Sequence, residues 1–401
     1  MAARNTSPPV RERAPVTATK GGGPPATDVV VIGAGVTGLS VAFHLAEAGA
    51  APLVLERVGI AAEASGVQPG GVRQQWSARL SCELAREALA FYRDLAARLD
   101  VGLPLRFDEC GYLFVAHGEE RLRQLERSVA LQNEVGVPSR LVGPEEAAEL
   151  VPGLDPSGVV GASWCAEDGY FDRPQSVVEA FAQAAQARGA RLQIAEVAAL
   201  ARDGEGWRLA LADGTSIRAE AVVVAAGYDA PALVEPLGVE LPIRRDARHL
   251  FYSEPVAQRI LEPLVVSAER HFAAKQLADG RVLASDLSAV GDAEEGRARW
   301  RAHVRKVVDE LVPILGYVSL PLLVTGFYDV TPDNHPILGP VDGLPGLHLA
   351  AGFSGHGFML APAVGRRVAA AVLGGSPDRA LTELSLDRFA SGSLHRELET
   401  V

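Results

Sequence analysis

The chain is short of several residue types, and each shortage excludes something. Its 401 residues include only three cysteines, Cys82, Cys110 and Cys165. They lie far apart and form no metal-ligand spacing, and their odd number argues against a disulfide framework. Only three lysines occur, Lys20, Lys275 and Lys306, so basic charge is carried almost entirely by arginine and each lysine stands out. Basic charge as a whole is also in deficit. A net charge of −12 with no basic block gives no electrostatic footprint for nucleic acid. Long apolar runs are missing too. None approaches the ~20 residues that span a bilayer, so no membrane span is expected. Residues 1–27 are rich in Pro, Gly, Thr and Ser and lack the apolar core of a signal peptide. They read as a disordered tail, and the expected compartment is the cytoplasm.

What remains is an ordinary globular composition, 48% hydrophobic and 22% charged, with ample core. Val29 to Ile32 are continuously apolar and β-branched, as a strand buried on both faces requires. Val36 to Ala48 has helical periodicity, and "PLVLE" is a second strand. A glycine-rich loop spans Arg57–Val72, and Leu80, Leu84, Ala88, Phe91 and Leu95 then recur at helical spacing. From Leu103 the pattern changes to short strands around a charged helix, Glu119–Val135. A helix is expected over Asp172–Arg188, and antiparallel strands joined by Asp-Gly turns over Ile243–Asp286. A long amphipathic helix follows over Ala293–Leu315. "AVVVAAGYDA" and "LHLAAG" return to the style of the first strand, and the last helix ends near Gly374. Parallel-sheet segments thus lie at the start, middle and end, with antiparallel segments between. The expected fold is α/β and α+β: a discontinuous Rossmann-like domain (28–102, 158–240 and 327–374) with an inserted mixed-sheet domain (103–157 and 241–326). Residues 375–401 read as a C-terminal tail.

Gly33, Gly35 and Gly38 form G-x-G-x-x-G directly after the first strand. Gly33 permits the tight turn, Gly35 lets backbone approach a pyrophosphate, and Gly38 lets helix pack on strand. The helix opening at Val36 and Thr37 offers free N–H groups to phosphate. Glu56 ends the second strand, where a carboxylate can hold ribose hydroxyls. A chain that returns to its parallel sheet twice more suits FAD better than NAD.

Near the C-terminus, "LAAGFSGHGFMLAP" (Leu349–Pro362) puts three glycines, a serine and a histidine at the start of a helix. Together with "SGVQPGGVRQQW" (Ser65–Trp76), "TPDNHPILGP" (Thr331–Pro340) and the glycine turn with Glu56, this stretch carries a resemblance. The chain resembles the D-amino-acid-oxidase superfamily of FAD enzymes, in the branch of sarcosine oxidases, glycine oxidase and the proline and dimethylglycine dehydrogenases. The likeness covers roughly residues 28–373. It implies oxidation of a C–N bond by hydride transfer to flavin N5, giving an imine. Its partners would be an amine or amino-acid substrate and O2 or another electron acceptor.

The resemblance also assigns residues. Gly352, Phe353, Ser354, Gly355, His356, Gly357, Phe358 and Met359 would lie against the flavin, with a helix N-terminus aimed at the ring edge that gains charge on reduction. Arg57, Gly70, Gly71, Val72, Arg73, Val197, Ala226 and Gly227 would complete the cofactor site. Arg73 and His356 are the candidate catalytic residues, with Lys275 as a further candidate for oxygen activation or anion binding. Trp76, His249, Phe272, Lys275, Tyr328 and Met359 are expected on the substrate cavity. Asp333 and His335 read as loop-fixing residues.

Three departures from the sarcosine oxidases matter. Trp76 and Met359 replace the arginine and lysine that grip the substrate carboxylate there, which points to a bulkier, apolar or uncharged amine. Their FAD-linking cysteine aligns near Gly326, where this chain has no cysteine, so FAD is expected to be free of a thioether bond. Their oxygen-activating lysine aligns near Ala284, where this chain has no lysine. Two alternatives stay open: a 2-hydroxy-acid dehydrogenase of the same superfamily, and a flavin-bound assembly protein without catalysis. No metal site is expected.

Overall fold

The computed structural model describes residues 26–376, 378–394 and 396–399. The proposed N-terminal tail lies outside the described residues except for Ala26 and Thr27, which already belong to the first strand, Ala26–Ile32.

Three sheets organise the described residues. In the first, Ala26–Ile32 pairs in parallel with Leu53–Glu56 on one side and with Ser216–Val224 on the other. Leu347–Ala351 extends the parallel set beyond Val222–Val224, and Arg191–Ile194 extends it beyond Leu53–Glu56. These segments come from distant parts of the chain, as their shared β-branched style suggested. Helices Val36–Glu47 and Gly357–Val372 pack together on one face of this sheet. Gly365 makes their approach possible, because a Cβ there would lie 2.2 Å from Ser40 Oγ. Ser40 Oγ instead donates to the Ala361 carbonyl at 2.8 Å.

Pro362 sits inside the Gly357–Val372 helix. It has no N–H for the carbonyl four residues earlier, so Phe358 loses its intrahelical donor. The buried Tyr92 hydroxyl donates to that Phe358 oxygen in its place.

The second sheet has eight strands and is mostly antiparallel. Its order runs from Leu322–Val330 through Arg244–Tyr252, Val282–Asp286, Phe272–Gln276 and Leu264–Ser267 to Tyr112–Ala116, Gly161–Cys165 and Arg140–Val142. One face packs on the helix Ala293–Leu311 through Trp300, Val304 and Val308. The helix expected to reach Leu315 stops at Leu311, because Pro313 opens a short 3-10 turn. Likewise the helix expected from Asp172 starts at Pro174, a residue preorganised for the first helical position. The other face of the sheet looks towards the first domain. A small third sheet joins Gly71–Val72, Gly169–Phe171 and Phe107–Asp108 behind the junction.

Within the segment expected as a tail after residue 374, the described residues pack against the rest of the fold. Short helices cover Arg379–Glu383 and Arg388–Ser391, and both Glu397 and Glu399 are buried. No helix among the described residues is long and apolar enough to cross a membrane.

Candidate active site

A groove of about 430 Å³ follows the C-terminal ends of the parallel strands. Gly33 enters it with φ of 108°, and a Cβ there would lie 2.4 Å from the Ala225 carbonyl oxygen. Only glycine fits that turn. Gly38 lies beneath the wall, where a Cβ would lie 2.1 Å from the Gly33 oxygen. Gly33, Gly35, Val36, Thr37, Glu56, Arg57, Val197, Ala226 and Gly227 all line the groove, as do Phe353, Gly355, Gly357 and Phe358. Gly38, Gly70, Val72, Gly352 and Ser354 do not line it, and Gly71, Arg73, His356 and Met359 line a smaller cavity beside it instead.

Two helix N-termini, at Val36 and at Gly357, open on this one groove. Each brings unpaired N–H groups and partial positive charge. That matches a long ligand with phosphate at one point and an electron-accepting ring at another. Glu56 supplies the acid: its Oε2 accepts from the Ala34 amide at 2.8 Å and its Oε1 from Val58 at 2.9 Å. The residues present therefore fit FAD.

Ser65 and Asp329 also line the groove and were not singled out by sequence reasoning. Ser65 Oγ accepts from the Val36 amide at 3.0 Å. Asp329 Oδ2 accepts from the Gly352 amide at 2.7 Å, while its own carbonyl accepts from Ser354. Ser354 and Gly355 both have positive φ, 53° and 89°, so Asp329 ties down a strained turn. Burial pushes its carboxyl up to about 6.

A second, smaller cavity of about 90 Å³ adjoins the groove, with Tyr328, Phe327, Gly355 and Phe358 common to both. Strand alternation decides which residues reach it. Register aligns Lys275 with Leu283, and Arg248 with Gly326, on the cavity face. Phe272 is three residues from Lys275 and so faces the opposite way, into the core against the long helix. His249 borders the cavity, but its ring stacks on Trp300 of that helix, with centroids 4.0 Å apart. Trp76 is fully buried behind the wall. Tyr328, Met359 and Lys275 do line the cavity.

The cavity lining holds three cations, Arg73, Arg248 and Lys275, and no carboxylate among the described residues. Arg248 pairs with Asp246 at 2.9 Å, just outside. Lys275, buried in the sheet rather than set at a solvent-facing edge, has no hydrogen-bond partner among the described residues. Its Nζ lies 3.6 Å from the centroid of Tyr170, and desolvation lowers it to about 7. The sequence had marked Lys275 but not Arg248.

Arg73 is completely buried, and its guanidinium lies 3.7 Å from the Trp76 ring centroid. It donates to the carbonyl oxygens of Gln75 and Glu399. His356 occupies the N-cap position of the Gly357–Val372 helix without a side-chain cap bond, and meets Trp76 edge-on, with centroids 4.5 Å apart. Burial, reinforced by the Arg73 charge, holds the His356 ring well below its usual value, so it is neutral at physiological pH. Its Nε2 has no partner among the described residues.

A two-ended groove joined to a cationic cavity fits a flavin-dependent oxidoreductase. Residues 28–371 match the family described as FAD dependent oxidoreductase, and the chain belongs to that family. It is an FAD-dependent enzyme, and the alternative of a flavin-bound assembly protein is set aside. The chain is 28% identical over 401 aligned positions to the bovine (Bos taurus) FAD-dependent oxidoreductase domain-containing protein 1, covering 88% of this chain and 82% of that one. It is 27% identical to the 4-methylaminobutanoate oxidase (formaldehyde-forming) of Paenarthrobacter nicotinovorans, over 92% of this chain but only 46% of that longer protein. The crystal structure of L-proline dehydrogenase from P. horikoshii superposes with a TM-score of 0.85 at 27% identity, covering 93% of this chain and 100% of the other.

Proposed function

We propose that the protein oxidises the C–N bond of an amino acid or N-substituted amino acid to an imine. The reading is carried by one observation: a small cavity with three cations and no carboxylate lies directly against the FAD groove. An anion entering it meets Lys275, whose Nζ has no hydrogen-bond partner among the described residues, and Arg248, whose one carboxylate partner, Asp246, lies outside the cavity. The expected apolar amine rested on Trp76 and Met359 replacing two cations. Arg248 and Lys275 instead bring cations in from the opposite wall, so the grip has moved between sheets.

Bound FAD would supply a two-electron acceptor at N5 for the α-hydrogen, to be reoxidised by O2 or another acceptor. As the α-carbon lost a hydride, the nitrogen lone pair would form the C=N bond of an iminium ion, whose N–H proton, where it has one, would pass to water to leave the imine for hydrolysis. The chain's residues orient and shield. Arg248 holds the substrate carboxylate, because a guanidinium stays charged and matches a carboxylate in two bonds. Lys275 gives a second positive charge, which an arriving anion would stabilise. Arg73 and the Gly357 helix terminus place fixed positive potential where charge develops, with no reorganisation needed. Neutral His356 adds no competing cation.

A second reading, oxidation of a 2-hydroxy acid, has one observation in its favour. The unpartnered Nε2 of a neutral histidine at the cavity is a base able to take a hydroxyl proton. Anaerobic mixing with matched amino and hydroxy acids separates the two. Flavin bleaching by the amino acids supports C–N oxidation; bleaching only by the hydroxy acids replaces it.

A further inference from the structure

The fold uses two buried glutamates far from the flavin turn to finish the wall behind Arg73. Glu397 and Glu399 are 0% and 4% exposed. Burying a carboxylate costs much unless its oxygens are satisfied, and here they are. Glu399 meets Arg121 of the helix Glu119–Glu134 in a two-bond pair, 3.0 and 2.6 Å. Glu397 Oε1 accepts from the Ser77 amide at 2.9 Å and from its own neighbour Glu399 at 2.9 Å, and Oε2 accepts from Ala78 at 3.1 Å. Glu397 thereby caps the Arg79–Arg93 helix, which has no side-chain cap from its own N-cap residue.

The backbone of this strap serves the active site. The Glu399 carbonyl accepts from Arg73 Nη2. The Glu397 carbonyl accepts from Asn334 Nδ2 at 3.0 Å, and the Glu397 amide donates to the Asp333 carbonyl at 3.0 Å. Asn334 has a left-handed φ of 61°, and its backbone bonds the His356 ring. Asp333 is itself held by the buried Arg388, at 2.8 Å. Thus one four-residue segment reaches both polar groups on the cavity's inner wall, Arg73 directly and His356 through Asn334.

We propose that residues 396–399 form a positioning strap for the active site, hooked to the second sheet's side by the Arg121–Glu399 pair, which fixes Arg73 and the Asn334–His356 turn in register with the flavin. Glu397 and Glu399 are positioning residues, since neither touches the cavity. The inference rests on the proposed placement of Arg73 beside the flavin.

The test uses FAD-loaded protein and two ways of unhooking the strap, Glu399→Ala and Arg121→Ala, with their double variant. Sulfite is the probe, because it adds to flavin N5 in proportion to the positive potential around the ring. Amide hydrogen exchange over residues 73–78 and 332–335 is followed with and without FAD. Each single variant is expected to weaken sulfite binding at least tenfold and to speed exchange in both segments, while FAD content stays near one per chain. The double variant is expected to be no worse than either single one. Sulfite affinity within twofold of the parent in both variants overturns the proposal. So does collapse of folding or FAD content in both, which makes the pair a general stability element. Arg73→Ala run in parallel separates the claims. If it weakens sulfite binding and the strap variants do not, the strap fails and the reading of Arg73 stands. If Arg73→Ala leaves sulfite binding unchanged, the reading of Arg73 fails and takes the strap with it.

Discussion

Lys275 Nζ lies 3.6 Å from the centroid of the Tyr170 ring, with no hydrogen-bond partner among the described residues. The face of a tyrosine offers a cation only weak compensation. Burial consequently lowers Lys275 from its ordinary 10.5 to about 7. Between those values the unfolded chain holds the proton that the folded chain has lost, so stability rises with pH across that window. Replacing Lys275 with Met is expected to flatten this part of the stability-versus-pH curve, as read by denaturant titration at several pH values. A slope equal to that of the parent would show Lys275 to be charged and paired. The same group should make anion binding pH-dependent. KM for an amino acid is expected to rise above pH 7 in the parent and to change less in Lys275→Met.

FAD is expected to be released by acid precipitation. The resemblance to the sarcosine oxidases puts their linking cysteine near Gly326, and a Cβ at Gly326 would lie 2.4 Å from Val67 Cγ2. The strand is thus packed too tightly at that point for a thioether side chain. Flavin colour retained in the pellet would demonstrate a covalent bond elsewhere.

Gly35→Leu is expected to abolish FAD binding. A Cβ at this position lies 3.2 Å from Ser65 Oγ, the atom that accepts from Val36 at the helix terminus. A leucine would push out Ser65 and fill the space that backbone leaves for the pyrophosphate. Normal flavin content in the purified variant would remove this turn from the cofactor site.

Asp329→Ala is expected to loosen FAD by at least tenfold in Kd, about 1.4 kcal/mol. The variant frees the Gly352 amide and the positive-φ run at Ser354 and Gly355. Fluorescence titration of the apoprotein with FAD measures it, and unchanged affinity would show that the turn holds itself.

The groove was legible in the sequence because its requirements are local. A strand, a turn that only glycine can make and a helix opening must follow within a few residues, and Gly33, Gly35 and Gly38 supply them. The cavity was only half legible. Strand alternation already separates Phe272 from Lys275, and applying it would have moved Phe272 to the core. Arg248 was hidden because "RRDARH" looks like a solvated charged edge. Its exposure is set by Leu322–Val330, which pairs with it from some eighty residues away. Glu397 and Glu399 look like tail residues for the same reason. Nothing within the C-terminal segment foretells Arg121, 278 positions earlier, as the partner that allows burial.

The measurement that tests the central claim most directly is anaerobic flavin reduction by amino acids, each paired with its own carboxamide. The series should include N-substituted members such as sarcosine and proline. If Arg248 and its neighbours hold a carboxylate beside the flavin, the acids bleach the flavin's long-wavelength band. The carboxamides should be at least tenfold less efficient in kcat/KM, about 1.4 kcal/mol of transition-state binding. Arg248→Leu should erase most of that gap while leaving FAD content intact. Equal efficiency of acids and carboxamides, or bleaching by 2-hydroxy acids with none by any amine, would contradict the account.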